Sequence, residues 1–160
     1  MTNLNYSKTK SKEVRKEIVS WIKTFKSNYV LTVQFLPHER TTDYYKSFNK
    51  LKQVMEKLEY FLRGKHWKEN PVPFIAFCEK GADGTYHYHM FFYDNNIRFK
   101  KMVSAVDMVC LRTGYSKANL YLDPFFTTNT PDYCTKQIYA NHTKHFNTDN
   151  IILSQELLGV

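Results

Sequence analysis

Two β-favouring runs, VPFIAFCE (72–79) and TYHYHMFFY (85–93), stand on either side of KGADG, and this stretch constrains the fold more than any other. Branched and aromatic side chains at this density suit a pleated strand, and Asp83-Gly84 is a strong reversal signal, so the segment predicts an antiparallel hairpin. Further strands can join it. YVLTVQFLP alternates Tyr29, Leu31, Val33 and Phe35 against Thr32 and Gln34 until Pro37, which predicts one strand with a polar-capable side. ANLYLDPF supplies a short strand before Pro124. Four strands are legible, and a fifth is expected around Asp123 to Thr128 or near the chain ends.

Helical spacing accounts for much of the remainder. Val14, Ile18, Trp21, Ile22 and Phe25 predict an amphipathic helix from about Lys10 to Lys26 with a basic outer face. Tyr44, Phe48, Leu51, Val54, Met55, Leu58, Phe61 and Leu62 predict the longest helix, from Asp43 to Leu62, stopped by Gly64. Met102, Val103, Val106, Met108, Val109 and Leu111 predict a second covering helix over Arg98 to Thr113, ending near Gly114. Thr130 and Pro131 form an N-cap and first-turn signature for a last helix. The expected class is α+β, a central antiparallel sheet of about five strands with helices packed on its faces. With 160 residues, 42% of them hydrophobic, the chain can close one core but not comfortably two. A single domain over 1–160 is expected, with a tail from about residue 142.

Charge narrows the partner. Lys and Arg number 23 against 15 Asp and Glu, a formal net charge of +8, which predicts attraction to a polyanion: nucleic acid first, an anionic membrane surface second. Lys12, Arg15 and Lys16 belong to a basic N-terminal run and are candidate DNA contacts, although such a run is as often a solvated helix face. MTNLNYSKTK has no apolar segment of the signal-peptide kind, and no stretch approaches the ~20 apolar residues of a membrane span. A soluble intracellular protein is expected, cytoplasmic or, in a eukaryotic host, nuclear. Cys78, Cys110 and Cys134 are odd in number and far apart, which fits reduced thiols better than a disulfide framework.

The chemistry concentrates in His87 and His89. Strand side chains alternate, so the two imidazoles share a face and can converge on one cation while Tyr88 points the other way. Glu79 ends the preceding strand, and a register that sets it beside the histidines supplies a carboxylate as third ligand. Two imidazoles and one carboxylate suit a borderline or hard divalent ion, Mn²⁺ or Mg²⁺, and leave positions open for a substrate oxygen. An HxH pair alone is equally compatible with surface or hydrogen-bonded histidines. His38 and His66 are read as structural or surface residues, and His142 and His145, near Lys144, as exposed or phosphate-contacting.

Tyr133 and Lys136 lie three residues apart, one helical turn along, so a phenol and an ammonium can address one substrate. A tyrosine hydroxyl with a pKa near ~10 is about one part in a thousand ionised at pH 7 and needs a cation beside it to become a competent nucleophile. Tyr139, six residues from Tyr133 and well round the helix, is read as packing.

Taken in order, YVLTVQF, HYH (87–89) and YCTK (133–136) resemble the three motifs of the HUH endonuclease superfamily, above all its single-tyrosine rolling-circle replication initiators, the Rep proteins. YCTK is similar to the YxxK motif of circovirus-type initiators, and Glu79 stands where such proteins often place a third metal ligand. The resemblance spans roughly residues 29 to 140. It implies a five-stranded antiparallel sheet with helices on its faces, the histidines on a central strand and the tyrosine on a helix beside them. It further implies metal-dependent nicking and joining of single-stranded DNA at a replication origin, through a 5′-phosphotyrosine on Tyr133, with Lys136 orienting the phenolate or the phosphate. Thr32 and Gln34 are candidate DNA contacts. No helicase motif follows, so if 160 residues is the natural length, unwinding is expected from a separate protein; a homodimer is compatible with the sequence. Three other readings remain. A transposase- or relaxase-type HUH enzyme shares the motifs. A cupin would start from Gly81 and His87-Tyr88-His89, but Tyr93 and Asp94 stand where its glutamate belongs. A non-catalytic nucleic-acid-binding α+β domain would use the histidines for stacking.

Overall fold

In the computed structural model, residues 3–24, 27, 29–94, 96–124, 130–135 and 151–160 are described, without the side chains of 3–12 and 132. The strands are β1 (Tyr29–Gln34), β2 (Phe74–Lys80), β3 (Tyr86–Phe92), β4 (Leu120–Pro124) and β5 (Ile151–Leu153). They form one antiparallel sheet in the order β4-β1-β3-β2-β5. The hairpin is β2-β3, with Phe74 opposite Phe92 and Lys80 opposite Tyr86. Its loop is closed by the Gly81 N–H to the Thr85 carbonyl (2.8 Å) and the Gly84 N–H to the Gly81 carbonyl (2.9 Å). Gly84 sits at φ +79°, a left-handed conformation that most side chains disfavour, which is why glycine occupies the reversal.

Alternation splits the sheet into two faces. Leu31, Val33, Cys78, Tyr88, Met90 and Phe92 form the larger core with α2 (Tyr44–Arg63), α3 (Phe99–Thr113) and α5 (Ser154–Leu158). Asp43 caps α2 by accepting the Lys46 N–H at 3.1 Å. On the opposite face Val30, Ile75, Phe77 and Phe91 pack with Ile18 and Ile22 of α1 (Asn3–Thr24) and Cys134 of α4 (Thr130–Cys134). Beyond this apolar patch, toward the hairpin loop, the same face carries Thr32, Gln34, Glu79, His87 and His89. The class is α+β, as expected. No helix among the described residues is long and apolar enough to cross a membrane.

Several boundaries differ from the sequence expectation. The fifth strand, β5, takes the second of the two expected placements, near a chain end, but inside the segment expected to be a tail, where it pairs Ile151 with Phe77 and Leu153 with Ile75. α1 begins at Asn3 rather than about Lys10, because adding residues to an existing helix costs far less than starting one. Trp21 is 42% exposed while Val19 is buried, so the packed stripe of α1 is rotated from the one its apolar residues suggested. Met108 and Leu111 likewise lie on the outer side of α3. Periodicity marks a stripe but not how much of its width a neighbour covers.

Beneath the start of β2 lies a buried acid. Glu59 of α2 is fully buried, and its Oε1 accepts the Val72 N–H at 2.9 Å, anchoring the chain that enters β2. Its Oε2 has no hydrogen-bond partner among the described residues. Burial pushes the carboxyl from its usual 4.5 up to about 7, against the pull of the Val72 N–H and the Arg63 guanidinium; Arg63 itself pairs with Asp94. The folded chain therefore keeps a proton that the unfolded chain releases. The resulting stabilisation is complete below about pH 4.5 and is lost as pH rises through about 7. The change across that window is about 3 kcal/mol, because each tenfold difference in proton affinity between the folded and unfolded chain is worth about 1.4 kcal/mol. Glu59→Gln retains an acceptor for Val72 and cannot ionise, so its stability relative to the native protein is expected to rise by up to that amount between pH 5 and pH 8 in urea unfolding. A difference that does not change with pH would refute the assignment.

Candidate functional site

The register of the central strands assembles the site. Gln34, His87 and Glu79 lie in one row across β1, β3 and β2, and Thr32, His89 and Phe77 lie in the next. Directly opposed side chains have Cβ atoms about 5 Å apart, so Glu79 meets both imidazoles. Its Oε2 lies 3.3 Å from His87 Nε2 and 3.1 Å from His89 Nε2. Glu79 and His89 are buried, whereas the His87 side chain is 20% exposed, which leaves the cluster open on one side.

These distances suit a shared cation. Donors about 2.1 Å from one ion lie roughly 3.0 to 3.4 Å apart at the angles of octahedral or tetrahedral coordination. The three donors form the one group of three or more among the described residues in which His, Cys, Asp or Glu ligand atoms come within 4.8 Å of one another. Thr32 sets the chemistry of His89: Thr32 Oγ1 and His89 Nδ1 are 3.1 Å apart. With Nδ1–H donated to Thr32, the Nε2 lone pair faces the Glu79 oxygen, an arrangement that a cation or a proton between them reconciles. Thr32→Val is expected to weaken Mn²⁺ binding about tenfold or more by calorimetry, with Thr32→Ser restoring it. Unchanged affinity in the valine variant would show that Thr32 does not orient the ligand.

Tyr133 stands at the rim of this cluster. Pro131, Cys134 and Thr135 are buried against the sheet or within the helix turn, while Tyr133 is 59% exposed. Its ring centroid lies 6.0 Å from that of His89 at an interplanar angle of 74°. A cleft of about 330 Å³ joins the two rings and is lined also by Thr32, Tyr121, Asp123 and Thr130. α1 holds this corner: Arg15 Nε donates to Thr135 Oγ1 (3.2 Å), which donates to the Pro131 carbonyl (2.7 Å).

Comparisons with protein-family models, curated proteins and solved structures give no match. The candidate ligand set therefore rests on its own atoms.

The structure brings together Glu79, His87, His89, Thr32, Gln34 and Tyr133. Gln34 is exposed beside His87; Arg15 is turned toward Thr135; Lys16 is exposed on α1. Lys12 lies in α1, with its side chain outside the described set, and Lys136, Tyr139, His142, Lys144 and His145 lie outside the described residues. His38 is exposed in the turn Pro37–Glu39, and His66 is exposed with its Nδ1 2.9 Å from Glu69 Oε1. Sequence reasoning misses Tyr121 and Asp123. Alternation in ANLYLDPF could have found them, since it sets both on the face that carries Thr32.

Proposed function

We propose that the protein is a metal-dependent nuclease of the HUH type that breaks and rejoins single-stranded DNA through Tyr133. One observation carries this reading: an exposed phenol shares a cleft with His89, one of the three residues of the His-His-Glu set, and the rings of Tyr133 and His89 are 6.0 Å apart. A structural metal site closes its coordination shell with protein ligands, whereas three ligands beside an open cleft leave room for substrate. The motif order of the Rep initiators agrees with that arrangement.

His87, His89 and Glu79 would hold the ion, Mn²⁺ or Mg²⁺, which when bound supplies Lewis acidity to a phosphate oxygen. The Tyr133 oxygen attacks phosphorus and loses its proton to solvent; the P–O3′ bond breaks, and the departing O3′ takes up a proton. One phosphodiester replaces another, so a later 3′-OH can reverse the step without a nucleotide cofactor. Lys136, three residues after Tyr133 in the sequence, would favour the phenolate. The net charge of +8 draws the strand in. In this reading the substrate is a replication origin, a separate helicase opens it, and the protein works in the cytoplasm or nucleus.

The test is incubation with single-stranded oligonucleotides of varied sequence and Mn²⁺, followed by denaturing electrophoresis. A covalent protein–DNA species that EDTA prevents is expected. Oligonucleotide binding that ignores EDTA and yields no adduct with any sequence would leave a non-catalytic binding domain and overturn the proposal.

A further inference from the structure

A second cleft of about 340 Å³ opens at the other end of the ligand set, where the hairpin turns, lined by Gln34, Arg40, Asp83, Thr85, Tyr86 and His87 among others. Its volume is at the lower end of small-ligand sites, roughly 300 Å³ upward. Two charged groups at its mouth are only partly used. Arg40 spends Nε on the Phe35 carbonyl (3.2 Å), and its two terminal nitrogens have no hydrogen-bond partner among the described residues. Asp83 spends Oδ1 on the Thr85 N–H (3.0 Å) and hydroxyl (2.7 Å). These bonds hold its carboxyl below the usual range, helped by the Arg40 guanidinium. Asp83 Oδ2 makes no hydrogen bond to another of the described residues. A donor fork and an acceptor therefore line one cleft.

In-line displacement assigns the two clefts different tasks. The attacking and leaving oxygens lie on opposite sides of phosphorus. Tyr133 approaches from the His89 end, so the nucleoside that leaves with a free 3′-OH departs toward the His87 end. From the proposed nicking reaction, on which this step rests, we infer that the second cleft receives the nucleoside on the 3′-OH side of the break and that Asp83 and Arg40 select guanine there. Guanine alone among the four bases presents two adjacent donors, N1–H and N2–H₂, for a carboxylate, next to two adjacent acceptors, O6 and N7, for a guanidinium. Gln34, opposite His87 in register, lines the same cleft.

The test uses the full chain carrying Tyr133→Phe, in EDTA, so that no bond can break. Hexanucleotides labelled at the 5′ end, finishing in dG, dA, dC or dT with a free 3′-OH, are titrated by fluorescence anisotropy. The dG oligonucleotide is expected to bind about tenfold more tightly than the others. Asp83→Asn, which keeps an acceptor for Thr85, and Arg40→Gln should each flatten that preference. Equal affinity for all four, no measurable binding of any, or a dG preference that survives both substitutions would overturn the assignment. The outcome is separable from the nicking reaction: an adduct without base preference retains the nuclease and removes the subsite, while preference without adduct retains the cleft and removes the chemistry.

Discussion

Tyr133→Phe is expected to lower adduct formation by at least a factor on the order of a thousand, because no other group supplies the oxygen that joins phosphorus. The substitution is otherwise mild. Tyr133 is 59% exposed, so loss of its hydroxyl should change stability by no more than about 0.5 kcal/mol. The phenyl ring preserves the edge contact with His89, and the Glu79-His87-His89 set is untouched. Mn²⁺ affinity and oligonucleotide affinity should therefore match those of the native chain when measured by calorimetry and anisotropy. A covalent adduct formed at the native rate would move the nucleophile to another residue, for which Tyr139 is the next candidate, and would remove the role given to the cleft beside His89.

Glu79→Gln should weaken Mn²⁺ binding by on the order of a hundredfold or more. The carboxylate is the one anionic donor of the set, and a neutral amide oxygen of the same size is a much poorer ligand for a hard divalent ion. The chemistry separates this variant from the tyrosine one. Because Tyr133 is intact, raising Mn²⁺ should restore adduct formation in Glu79→Gln, whereas no concentration of metal should rescue Tyr133→Phe. If the glutamine variant binds Mn²⁺ like the native chain, Glu79 serves only as a hydrogen-bond acceptor for the histidines, at the observed 3.1 and 3.3 Å, and the metal-dependent reading fails.

Local pattern reaches the centre of the site and stops at its surroundings. His87 and His89 are legible because alternation is strict along a strand, and Glu79 because the loop over 81–85 fixes its register against them. The helix-start signature at Thr130-Pro131 sets Tyr133 on a helix, while its spacing to Lys136 is what singles it out. The contact of Arg15 with Thr135 spans 120 positions, and no local rule connects a basic helix face to a distant hydroxyl. Alternation sets Thr32 on the polar side of β1, facing a ligand; its bond to His89 depends on which strand lies next to β1, which alternation does not specify. Arg40 and Asp83 line one cleft although they stand in separate turns far apart in the chain, which no local pattern shows. β5 escapes because Ile-Ile-Leu is too short to establish a period.

The order of assembly on the ribosome follows from where β5 comes in the chain. The hairpin bearing Glu79, His87 and His89 emerges well before residues 151–153, so during synthesis the outer edge of β2 remains without its neighbour along Ile75 to Phe77. An unpaired edge beside apolar side chains invites pairing with another nascent polypeptide. Glu79 lies two residues beyond that unsupported stretch, and its alignment with the imidazoles is set within the β2–β3 hairpin, so the ligand set can form before the edge is covered.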